Sequence, residues 1–94
     1  MKKYVRDVRT LDPQTAVVTC QGGMNALAVE ELHEAVDPLL EGSVSQLVFD
    51  LTEVEYVGSL TFEGLEAAQD QVKKRRGRGS VVGANSLVRQ FVEM

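Results

Sequence analysis

The chain has 94 residues, of which 44% are apolar and 26% charged, and its formal net charge is −4. That length suits a single soluble domain, residues 1–94, with a compact core. The acidic balance argues against nucleic acid or an anionic membrane as partner. No apolar run approaches the ~20 residues of a membrane span, and the start MKKYVRDVRT lacks the apolar stretch of a secretory signal. The only cysteine, Cys20, excludes an internal disulfide and points to the cytoplasm.

Val5 and Val8 sit among charges in KKYVRDVRT, the pattern of a short edge strand, and Asp12-Pro13 marks a turn. AVVTC, residues 16–20, is rich in β-branched residues and predicts a central strand, broken by Gly22-Gly23. From Asn25 the period changes. Val29, Leu32, Val36 and Leu39 follow helical spacing, Asn25 is the candidate N-cap, Pro38 is expected to loosen the last turn, and Gly42 ends the segment. QLVFDL is an unbroken apolar run that suits a strand buried on both faces. A second helix is predicted from about Leu60 to Arg76, with Leu65, Ala68 and Val72 inward and Phe62 nearer the strand. Its acids lie early and its bases late, which suits the helix dipole. SVVGA predicts a short strand, and NSLVRQFVEM a final helix. Alternating strands and helices imply parallel pairing with right-handed crossovers. Since each helix has one apolar stripe, the expected architecture is α/β, a mixed four-stranded sheet with helices on one face and an antiparallel N-terminal edge strand.

Little of the sequence carries chemistry. His33 lies off the apolar stripe and reads as an exposed helical residue. Cys20 has no second thiol for a metal site and reads as a small core residue. The tract KKRRGRG, residues 73–79, suits a helix C-terminus, whose free carbonyls attract cations, better than a phosphate site. The glycines make no dinucleotide or phosphate-loop fingerprint. Gly64, inside the second helix, is expected to pack so closely against the sheet or a neighbouring helix that a Cβ would collide. Ser59 stands out in EVEYVGSLTFEGL, where a strand pattern hands over to a helical one. A serine there can cap the helix, and the same place tolerates a phosphate. A nucleophile is the remotest option, because the pattern is not GxSxG and no general base is evident.

At three blocks the chain resembles the STAS domain, most closely the small bacterial anti-sigma-factor antagonists. GGMNALAVEELHEAVDPLL resembles the glycine, apolar residue and acid that open the family's first helix. QLVFDLTEVEYVGS resembles its buried strand and the segment leading to the serine, and VKKRRGRGSVVGANSLVRQFVEM the basic helix end, strand and helix that follow. The resemblance implies the STAS fold. It also implies that Ser59 is phosphorylated by an anti-sigma factor that is a serine kinase, and that the unphosphorylated form binds that partner. The implied partner-binding surface comprises Gly22, Met24, Asn25, Gly58, Ser59, Leu60, Thr61, Phe62 and Glu63. Gly58 and Asn25 stand where the family usually has aspartate, and Leu60-Thr61 replaces its usual Ser-Gly. No catalytic residue, cofactor or metal is implied, and a monomer is favoured. The alternative is a constitutive docking subunit, as in STAS-like subunits of lipid-transport ATPases or sensory complexes, which needs no phosphorylation.

Overall fold

The structure is a computed structural model and describes residues 4–83. The elements follow as β1 (Val5–Asp12), β2 (Thr15–Met24), α1 (Ala28–Glu41), β3 (Gln46–Val57), α2 (Ser59–Lys74) and β4 (Arg78–Val82). They form the expected four-stranded mixed sheet in the order β1-β2-β3-β4, with β1 antiparallel to β2 and the other pairs parallel. Both helices pack on the sheet and against each other, so they cover one face. The segment read from sequence as a final helix lies outside the described residues.

The core lies between this face and the helices. Ala16, Val18 and Cys20 of β2 alternate inward with Leu47, Phe49 and Leu51 of β3, all fully buried. Val5 closes the core from β1; Leu65, Ala68 and Val72 of α2 close it from above, as their spacing predicts. On α1 the buried set is Ala28, Leu32, Ala35 and Val36, so Leu32 and Val36 of the predicted stripe are buried and Val29 and Leu39 are half-buried. The buried face is turned towards the alanines at 28 and 35.

The start of α1 is one of several corrections. Asn25 is not the N-cap. Leu27 holds that position, and no side chain caps the helix. The Asn25 side chain instead accepts from the N–H of Leu27 at 2.9 Å, and its backbone carbonyl accepts from the N–H of Ala28 at 2.9 Å, forming a tight turn that feeds α1. α1 runs through Pro38 to Glu41, and its end closes with a bond of 3.2 Å from the N–H of Gly42 to Leu39 O, three residues back.

The strands are longer than their patterns suggested. β2 does not stop at Gly22-Gly23 but continues to Met24, with Gly22 at φ 75°, a conformation glycine adopts without steric cost. β3 does not stop at Leu51 but runs to Val57. Its register against β2 slips twice, between Thr19 and Gln21 and between Gly22 and Gly23, each time with an extra residue on β3. Leu51, Val54 and Val57 therefore all face the core at a spacing of three, and Glu53 and Glu55 face water.

The basic tract acts as expected, but on both helices. Arg76 is left-handed, φ 62°, and the N–H groups of Arg76 and Gly77 bond to Lys73 O at 3.0 Å and Val72 O at 2.7 Å, closing α2 in a Schellman motif. The Arg75 guanidinium crosses to the end of α1, donating to the carbonyls of Leu40, Gly42 and Val44. Gly64 does face α1, but the expected collision is absent. A Cβ there would lie 3.6 Å from Leu32 Cδ2, an ordinary contact.

Candidate functional site

Ser59 is the first residue of α2, and its side chain is exposed. It is not a cap. Gly58 occupies the N-cap in extended conformation, and its carbonyl accepts the first helical bond from the N–H of Phe62 at 2.8 Å. Glycine has no side chain to bond the first-turn N–H groups, and no other side chain caps them; the first turn also contains no acid. The helix therefore begins with donors aimed outward and a positive dipole end, the condition that favours a bound or covalent anion.

The turn after β2 lies directly against this helix start. The N–H of Gly58 donates to Met24 O at 2.8 Å, and the Thr61 hydroxyl donates to Asn25 O at 2.7 Å. The approach is close: a Cβ at Gly58 would lie 3.3 Å from Met24 O and 3.5 Å from Asn25 Cα. One residue earlier, the Tyr56 ring lies over Gly23, where a Cβ would come within 2.8 Å of Cζ. The two segments singled out in the sequence, Gly22–Asn25 and Ser59–Glu63, thus form one continuous surface.

Within it the residues divide by depth. Ser59, Leu60 and Glu63 are exposed; Gly22, Asn25, Gly58 and Phe62 are half-buried, with Phe62 packed on the core. Met24 and Thr61 are fully buried. These two cannot touch anything docked from outside; they hold the surface in shape. Sequence reasoning missed Leu27, 74% exposed, which flanks the site together with Leu60 at 56%. Leu27 precedes α1 and Leu60 is the second residue of α2. The signal for Leu27 was its place between Asn25 and the first helical turn, which the misplaced cap concealed.

Other titratable groups do no comparable work. Burial pushes the Cys20 thiol up to about 12, so it stays protonated and inert. Hydrogen bonds from the Thr52 hydroxyl (2.6 Å) and N–H (3.0 Å) hold the Asp50 carboxyl below its ordinary range. His33 is exposed, with Nδ1 3.6 Å from Asp37 Oδ1 one turn along α1. Among the described residues no group of histidine, cysteine and carboxylate side chains is arranged to hold a metal, and no helix is long and apolar enough to cross a membrane.

Known proteins share this architecture. The anti-sigma factor antagonist SpoIIAA in its unphosphorylated form superposes with a TM-score of 0.78 at 12% identity, covering 93% of this chain and 80% of that one. The phosphorylated form of the Bacillus cell fate determinant SpoIIAA gives 0.77 at 12% identity, covering 93% and 79%. An anti-sigma factor antagonist from Mycobacterium paratuberculosis gives 0.78 at 27% identity, covering 92% and 72%. Comparison with curated proteins yields no match. The profile of the family described as "Mlab, STAS domain" matches residues 8–94, nearly the whole chain, and the protein belongs to that STAS family.

Proposed function

We propose that this protein is a partner-switching regulator. It binds an anti-sigma factor with serine kinase activity through the surface at Gly22–Asn25 and Ser59–Glu63, and phosphorylation of Ser59 releases that partner. The observation that carries this reading is the position of Ser59, exposed at the first residue of a helix without a side-chain cap or a first-turn acid. A phosphate adds about −1.5 to −2 charges at pH 7. The dipole and outward N–H groups of α2 accommodate that charge, so the fold survives. Gly58, with no side chain, adds no like charge beside it.

A partner that covers Leu27 and Leu60 would bring Ser59 out of water with them. An unpaired charge buried there costs several kcal/mol, enough to weaken binding by orders of magnitude. The near-equal superposition on unphosphorylated and phosphorylated SpoIIAA is in keeping with a switch that alters a surface rather than a fold.

The test is phosphorylation by GHKL-type serine kinases of the source genome, then partner affinity for wild type, Ser59→Ala and Ser59→Asp. Alanine is expected to bind like wild type, and aspartate at least about tenfold more weakly, a difference of about 1.4 kcal/mol. Equal binding by all three would remove the switch and leave the constitutive docking subunit as the better account.

A further inference from the structure

Away from Ser59, the two helices do not close against each other along their outer edges. Leu32, Val36 and Leu40 of α1 face Gly64, Ala67 and Ala68 of α2 across a groove of about 350 Å³. The groove exists because α2 presents the small residues Gly64, Ala67 and Ala68 along most of that edge, with Gln71 and Arg75 only towards its end. Towards the helix starts it opens into a shallower hollow bounded by Ala26, Val29 and Leu60, and His33, Gly64 and Ala67 line both parts. The apolar floor thus continues up to Leu60, next to Ser59. From Val29 to Glu41 the α1 wall is ~18 Å long at 1.5 Å per residue, which matches about three turns of a helix laid alongside.

The carboxylates along the walls outnumber the cations free to answer them, although His33 Nδ1 lies 3.6 Å from Asp37 Oδ1. Asp37 and Glu41 lie on the α1 side, and Glu63 stands at the mouth. Among the described residues the one arginine lining the groove, Arg75, is engaged by the carbonyls of Leu40, Gly42 and Val44. An apolar floor with acidic walls complements a segment that is apolar on one side and basic on its flanks.

We propose that the α1–α2 groove is a second docking site, and that its occupant is a basic amphipathic helix of a protein partner. The proposal goes beyond the Ser59 switch and does not need it, although continuity of the groove with Leu60 would let one partner use both surfaces. Leucines at i, i+4 and i+7 of the incoming helix fill the space over Gly64, Ala67 and Ala68, and its lysines or arginines meet Asp37 and Glu41.

The test uses the full chain and two synthetic helical peptides of about twelve residues. Both carry leucines at that spacing; one is flanked by lysines, and its control has glutamates in their place. Binding is read by amide chemical shifts. The lysine peptide is expected to bind, shifting Leu32, Val36, Leu40 and Ala67, and the glutamate peptide to bind at least about tenfold more weakly. Ala67→Arg, at an exposed position, and the pair Asp37→Lys with Glu41→Lys are each expected to weaken the lysine peptide about tenfold, while circular dichroism stays unchanged. Ser59→Asp is expected to leave the peptide's affinity unchanged, so failure here is separable from failure of the switch. Equal binding of both peptides, no binding, or shifts confined to Leu27 and Leu60 would each overturn the proposal. So would slow labelling of Ala67→Cys by a thiol reagent in the free chain, since the groove would then be covered by the chain itself.

Discussion

The bond from the Thr61 hydroxyl to Asn25 O makes a definite stability prediction. Thr61 is fully buried in the first turn of α2, and its donor spans 2.7 Å to the turn that precedes α1. In Thr61→Val the hydroxyl becomes a methyl. The hydrogen bond is lost, at about 1 kcal/mol. A methyl also needs about 3.3 Å from a carbonyl oxygen, so the turn must move outward by about half an ångström. Asn25 O keeps the N–H of Ala28 as a donor at 2.9 Å, so it is not orphaned and the larger desolvation penalty does not apply. The total is about 1–2 kcal/mol. Thr61→Ser keeps the bond and loses one buried methyl, about 1 kcal/mol. Thr61→Ala loses both, about 2 kcal/mol, equivalent to roughly 8–16 °C in a domain of this size.

Urea denaturation ranks the three variants, and amide hydrogen exchange separates the causes. Valine and alanine are expected to speed exchange at Leu27 and Ala28, because the turn is no longer tied to α2; serine is expected to leave it at the wild-type rate. A valine variant that matched wild type in both stability and exchange would show that this bond does not hold the two halves of the site together.

Four further outcomes follow from single contacts. Gly64→Ala is expected to raise stability by about 0.5–1 kcal/mol in thermal melts, because the new Cβ meets Leu32 Cδ2 at 3.6 Å and helical glycine is costly. Gly77→Ala is expected to destabilise by several kcal/mol, since its Cβ would overlap Ser45 O and lie 2.8 Å from Val72 O, both backbone atoms unable to yield. Arg76→Gly is expected to gain about 1 kcal/mol by relieving a left-handed residue at φ 62°. The raised Cys20 thiol predicts a pH effect with a definite sign: its contribution is complete below about 9, where the unfolded thiol titrates, and is lost as pH rises through about 12, so urea midpoints should fall more steeply across that window in wild type than in Cys20→Ala.

How much of this was legible in the sequence depended on whether side-chain period tracked backbone path. It did in α2, where Leu65, Ala68 and Val72 are the buried face, and in the first halves of β2 and β3, where inward and outward residues alternate. The antiparallel edge strand followed from its charges, and Ser59 from the abrupt change of period. The alternation fails where β3 bulges. Val54 and Val57 are both inward, and a strict two-residue repeat cannot accommodate them, so QLVFDL and the strand pattern before Ser59 did not read as one continuous strand. Gly22 and Gly23 read as breakers although they pair with Val54 and Tyr56. Thr61 reads as a surface residue by composition, and only the approach of the Asn25 turn makes it buried. The groove beside Gly64 and Ala67 had no signal, because an absent side chain shows nothing of what it leaves open.

These features meet at one place. Each extra residue on β3 locally disrupts its pairing with β2. Beyond the second bulge the pairing resumes with Met24 opposite Val57, which sets the N–H of Gly58 2.8 Å from Met24 O and the ring of Tyr56 over Gly23. A side chain at position 58 would press on Met24 O at 3.3 Å, so a bare backbone is what lets the β2 turn lie so close to the start of α2. With no side chain at position 58 and no acid in the first turn of α2, the close turn and the acid-free helix start meet at one glycine. Because Thr61 and Gly58 both anchor to the β2 turn, anything that displaces α2's first residues must also move Asn25 and Leu27. Under the proposed switch, a charge placed on Ser59 and an apolar partner seated on Leu27 and Leu60 would therefore compete for one connected surface rather than for two independent loops.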